Sequence, residues 1–151
     1  MVGGRRGALG FTLLELLITM AIIGLLASLV FPSYARSRSL SKLSSCKQNL
    51  RNIAAALEGY ATDHGNYPDS LTKLTQGDRP YIKRLPSCKA CGDISSYVEG
   101  YQHSEHPNVF TLTCKGSYHT DLDLLPDYPG YSPLHGGYDN PIQEGEERTG
   151  G

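Results

Sequence analysis

The stretch "GALGFTLLELLITMAIIGLLASLVFP", residues 7–32, decides the fold. From Phe11 to Phe31 nearly every side chain is apolar, the exceptions being Thr12, Glu15, Thr19 and Ser28. These 21 residues, coiled as a helix, span roughly 31 Å, the thickness of a bilayer's hydrocarbon core. Glu15 stands close to the start of this run, about 6 Å from it at the helical rise. A carboxylate in hydrocarbon is costly, at about 2.5–3.5 kcal/mol for a charged residue at a helix centre and less toward an end. An intramembrane carboxylate is therefore a functional candidate that needs a partner, unless it snorkels to the headgroups.

The rest of the chain is different in character. The whole chain, of 151 residues, suffices for one modest domain with its own core. A net charge of −1 and a pI near 6.5 give no electrostatic reason to expect nucleic acid. Beyond Pro32 the sequence is polar and rich in Tyr, Gly and Ser, and the whole chain has no Trp. All four cysteines, Cys46, Cys88, Cys91 and Cys114, lie downstream of the apolar run. Outside the cytoplasm an even count favours disulfides, and four cysteines allow three full pairings between which sequence does not choose.

After Pro32 a second helical pattern reaches His64. Leu40, Leu43, Cys46, Leu50, Ile53, Leu57, Tyr60 and His64 recur at spacings of three and four, which puts them on one helix face. Gly65 is a natural C-terminal stop. The weakly helical "ARSRSLSKLSS" and Pro32 predict a thinning or bend at the join. Pro68, Asp69 and Ser70 open a short helical turn over 69–75. "SSYVEGYQ" (95–102) and "NVFTLTC" (108–114) read as two strands joined by a "HSEHP" loop. In the second strand Phe110, Leu112 and Cys114 share a face. From Pro126 on the composition predicts loop and then a disordered tail.

Three readings of the apolar run compete. It is a plain anchor; or a secretory signal with Arg5 and Arg6 as its basic region and "SYA" before Arg36 as its cleavage site; or a leader joined to a retained helix. The features that favour the third stand together: a short basic leader ending in Gly10, then Phe11, then Glu15 as the fifth residue after the glycine, and Pro32 just past the run. This arrangement resembles the class III leader and N-terminus of the type IV pilin and type II secretion pseudopilin family. "CKQNLRNIAAALEGYATDHGNYPDSLTKL", "LPSC" and "FTLTCKGSYH" extend the resemblance over roughly residues 7–120.

The resemblance implies an α+β, pilin-like fold in which a long N-terminal helix packs on a small antiparallel sheet. It divides the chain into a cleaved leader (1–10), a membrane and assembly helix (11–31), a stem (32–64), a β head (65–125) and a tail (126–151). It implies a non-enzymatic filament subunit that assembles from the bacterial inner membrane, single-pass with its head outside the cytoplasm, to drive protein secretion. Its partners would be copies of itself and other pilins, a prepilin peptidase and methyltransferase, an assembly platform and membrane lipid. Cleavage between Gly10 and Phe11 would free an amine for methylation, and Glu15 would pair with that amine on a neighbouring subunit. Loss of Arg5 and Arg6 would take the net charge from −1 to −3. One count opposes this orientation: Arg36, Arg38, Lys42 and Lys47 follow the run and outnumber Arg5 and Arg6 before it.

The resemblance also implies a Cys88–Cys114 disulfide, which would close a loop of about 27 residues and contribute roughly 3–4 kcal/mol. Cys46 then either pairs with Cys91 or stays a buried thiol. The calcium loop of the commoner pseudopilin head carries a tryptophan-glycine segment that this chain lacks, so no calcium site is carried over, and no cofactor or metal is expected. "CKAC" with Cys114 and His119 could supply four zinc ligands, but a zinc ribbon needs two such knuckles and only one is present. The alternative function is an extracellular binding module on a plain anchor, with a zinc- or disulfide-braced head. An enzyme would use His103, Glu105, His106, His119, Asp121 and Asp123 for acid–base or metal chemistry; as solvated loop residues they need no such role. Tyrosines 97, 101, 118, 128, 131 and 138 read as head packing and subunit contacts rather than a platform for bases.

Overall fold

The computed structural model describes residues 11–141. Gly10, Arg5 and Arg6 lie outside them. Helix α1 runs Leu13–His64 without a break, so the chain stays helical through position 32. The chain divides into two compact units at Ser37/Arg38, and α1 contributes to both.

In the first unit α1 is bare. Leu13, Leu14, Met20, Ile23, Leu25 and Leu29 are all largely exposed, and none of the membrane-length window is buried. By length and composition α1 is able to cross a membrane.

The second unit holds the core. Cys46, Leu50, Ile53, Ala54 and Leu57 of α1 are buried against Leu71, Leu74, Leu85, Cys88, Tyr97, Phe110, Leu112 and Cys114. The sequence stripe is therefore the packed face from Leu43 to Tyr60, while its ends, Leu40 and His64, stay exposed. Gly65 ends α1 at φ +84°, a left-handed conformation that costs glycine little. A 3₁₀ turn follows at Leu71–Thr75, capped by the Ser70 hydroxyl, and turns Leu71 and Leu74 inward. Asn108 ties the helix end to the sheet: its Nδ2 donates to the Gly65 carbonyl (3.1 Å) and its Oδ1 accepts from the Tyr67 N–H (3.3 Å).

Four strands form an antiparallel meander in chain order: β1 Tyr101–Glu105, β2 Asn108–Thr113, β3 Gly130–Ser132 and β4 Gly136–Tyr138. β2 alternates as read, with Phe110 and Leu112 buried and Thr111 exposed. Two expectations are corrected. Residues 95–102 are not one strand: Ser95–Val98 form a single helical turn, α2, and β1 starts only at Tyr101. His103–Glu105 thus belong to β1 and pair with Val109 and its neighbours rather than forming a loop. The segment from Pro126 is not all loop and tail, because Gly130 and Tyr131 pair with Thr113 and Leu112 and bring β3 onto the sheet. The Cys114 N–H donates to the Pro129 carbonyl (2.9 Å), and Asp127 accepts from the Gly116 N–H (2.8 Å) and Lys115 Nζ (2.7 Å). Residues 142–151 of the expected tail lie outside the described residues.

Gly100 is where α2 gives way to β1. A Cβ there would sit 2.1 Å from the Thr113 carbonyl oxygen, a backbone atom that has no free path away. Gly100→Ala is expected to destabilise the head by about 1–3 kcal/mol through overpacking. A melting temperature equal to that of the unaltered chain would contradict this close approach.

Candidate functional site

Three of the four polar residues in the apolar run are satisfied by their own helix. Thr19 Oγ1 donates to the Leu16 carbonyl (2.8 Å) and Ser28 Oγ to the Leu25 carbonyl (2.7 Å). Thr12 is the N-cap: its Oγ1 accepts from the Glu15 N–H (3.2 Å), and its carbonyl accepts the first helical bond, from the Leu16 N–H (3.2 Å). Glu15 reaches back toward Thr12, with Oε2 3.5 Å from both the Thr12 backbone N and Oγ1. Together they form a capping box, Thr at N-cap and Glu at N3. The return contacts are long for hydrogen bonds. An ionised carboxylate accepts about four, so Glu15 keeps capacity for a further donor. The sequence reading missed the cap, although the T-x-x-E spacing at 12–15 carries it.

The structure brings Cys88 and Cys114 together, as the resemblance implied, and places Cys46 beside them rather than beside Cys91. None of the four is bonded to another sulfur. Cys88 and Cys114 are adjacent, with Sγ atoms 3.6 Å apart and no bond between them. Cys46 shares their space instead of meeting Cys91, and His119 joins with Nε2 3.9 Å from Cys114 Sγ. Cys91 Sγ lies 3.4 Å from the Asp93 backbone oxygen and 3.6 Å from Ser96 Oγ. Hydrogen-bond donors surround the buried sulfurs: Tyr97 O–H donates to Cys46 Sγ (3.3 Å) and Ala90 N–H to Cys88 Sγ (3.4 Å). Asn49 Nδ2 holds the Tyr97 oxygen (3.2 Å) and the Ser87 carbonyl (2.9 Å). The hydrogen bonds of Cys114 and then Cys46 lower the pKa of Cys88, whereas those of Cys46 and then Cys88, with burial, raise that of Cys114.

The other acid–base candidates do not assemble. His103 is exposed on β1, stacked on Tyr101, and Glu105, His106, Asp121 and Asp123 face solvent. His119 is buried and turned to the sulfurs. Among the described residues no other set of three or more His, Cys, Asp or Glu groups converges. Of the tyrosines, Tyr97 is fully buried and Tyr101 and Tyr131 pack against the core, as head-packing residues should.

Known proteins place this architecture. A family model, the prokaryotic N-terminal methylation motif, matches residues 5–31. The type II secretion system core protein G of Pectobacterium carotovorum is 32% identical over 129 residues, covering 76% of this chain and 81% of that protein. The chain belongs to the type II secretion system core protein G family. The family's Pseudomonas aeruginosa member is 33% identical over 96 residues, covering 54% of this chain and 68% of that protein. The type IV major pilin PilA of Myxococcus xanthus is 38% identical over 65 residues, 43% of this chain but only 30% of that pilin. No solved structure matches the chain. The long helix on a small antiparallel sheet is thus the pilin-like architecture that the sequence resemblance implied.

Proposed function

We propose that this family member is a structural subunit of the filament that a type II secretion system builds at the bacterial inner membrane, and that it is not an enzyme. The carrying observation is the membrane half of α1, whose apolar surface is exposed on every side while one carboxylate at its first turn keeps spare acceptor capacity. Such a helix suits lipid before assembly and neighbouring copies after it. Subunits wait in the membrane as single-pass proteins with the head outside the cytoplasm. An assembly platform extracts them into a helical stack that moves secreted protein.

In this proposal a prepilin peptidase cuts between Gly10 and Phe11 and a methyltransferase modifies the new amine. Removal of the leader creates a positive group at the depth of Glu15, and the carboxylate of one copy receives the amine of the next. The test is the intact mass of the chain expressed with and without a prepilin peptidase. The expected product begins with N-methylated Phe11 only when the peptidase is present. A retained leader, or a chain that starts at Arg36, would overturn the processing step.

A further inference from the structure

We propose that Cys46, Cys88, Cys114 and His119 form a structural zinc site that ties the stem helix to the head. The four ligand atoms lie within 4.8 Å of one another, and all four residues are at most 3% exposed. They arrive from four separate segments: Cys46 from α1, Cys88 from the loop before α2, Cys114 from just past β2, and His119 from the turn before Thr120–Leu122.

Spacing, donor pattern and stoichiometry each support this set. A tetrahedral zinc with Zn–S near 2.3 Å and Zn–N near 2.0–2.1 Å holds its sulfurs about 3.8 Å apart and its S···N edge at about 3.6 Å. The Cys88–Cys114 separation of 3.6 Å and the Cys114–His119 separation of 3.9 Å match those edges closely. The Tyr97 O–H and the Ala90 N–H point at sulfur, which is how donors around a metal-bound thiolate delocalise its charge. Three sulfurs and an imidazole in one buried space fill a four-ligand set, whereas a Cys88–Cys114 bridge would use only two of them and leave Cys46 a buried thiol beside the imidazole. Cys₃His is a closed, four-ligand set of soft and borderline donors, suited to zinc and unsuited to calcium or magnesium. The turn at Cys88–Gly92 closes with the Gly92 N–H on the Cys88 carbonyl (2.7 Å), so "CKAC" makes a knuckle in which one cysteine serves the site. Near His119 a cavity of about 230 Å³, lined in part by Ser39, Lys42, Ser117 and Asp121, offers an entry path.

On binding, each thiol loses its proton to solvent and His119 coordinates as neutral imidazole, so the site carries one net negative charge. The test uses the full-length chain purified in detergent without chelator. Elemental analysis is expected to give one zinc per chain, and the cobalt-loaded chain is expected to show the visible bands of tetrahedral cobalt with thiolate-to-metal charge transfer. Cys91→Ser is expected to keep the metal, and Cys46→Ser to weaken binding by at least about tenfold. The unaltered chain's stoichiometry and cobalt spectrum stand even if a variant misfolds. A metal-free chain would overturn the proposal, whether it carried the mass deficit and cross-linked peptide of a Cys88–Cys114 disulfide or four titratable thiols. Zinc lost in Cys91→Ser but retained in Cys46→Ser would overturn the ligand assignment.

Discussion

Glu15→Gln is expected to insert into the membrane normally and to fall out of filaments by at least about tenfold. Two unit charges 4 Å apart attract by about 4 kcal/mol at an effective dielectric of 20, and losing a third of that is already tenfold in an equilibrium. The glutamine variant is the informative one because of the capping box. A glutamine at N3 can still reach back to the Thr12 N–H, so the helix start is preserved while the charge is removed. Glu15→Ala removes both and is expected to lose assembly as completely. The readouts are membrane fractionation for insertion and recovery of sheared filaments for assembly. Ordinary filaments from Glu15→Gln would end the charge-pairing argument and leave Glu15 as a helix cap.

Phe110→Ala is expected to have the largest effect on the head. Phe110 is 1% exposed and sits among Tyr67 (ring centroids 4.8 Å apart, near-perpendicular), Tyr101 and Tyr131. Truncating a buried phenylalanine costs about 3–5 kcal/mol, counting transfer and cavity together. That is a large share of the 5–15 kcal/mol by which a domain is usually stable. For a unit of this size the melting temperature should drop by more than about 10 °C. Thr111→Ala, one residue along and on the exposed face, should change stability by less than about 0.5 kcal/mol. Equal losses from both variants would contradict the assignment of the β2 faces.

What the sequence disclosed follows from the range of each signal. The stem face from Leu43 to Tyr60 was legible because a 3.6-residue period repeats along it several times. β2 was legible because six residues give three turns of alternation. β3 and β4 were not, since three residues each, mostly Gly, Tyr and Ser, show no alternation to count and become strands only by pairing. α2 was hidden for a similar reason: "SSYV" carries no helical preference, and the break at Gly100 is set by how close Thr113 comes. The sulfur site was half legible. Cys88, Cys114 and His119 are close enough in sequence to suggest a set, but Cys46 is 42 residues before Cys88, on another element, and only the packing of α1 against the head brings it in.

The uniform exposure of the first half of α1 has a thermodynamic consequence. Lipid tails are as apolar as leucine, so exchanging lipid for a neighbouring helix gains almost nothing from the hydrophobic effect. On the proposed pairing, the energy that distinguishes the two surroundings would come from close packing, at small positions such as Gly24, where a Cβ would meet nothing within 4 Å, and from the single charge at Glu15. Both terms are local. The apolar surface itself serves two solvents almost equally well, so the choice between them would be made at those few positions and not by the greasy face as a whole.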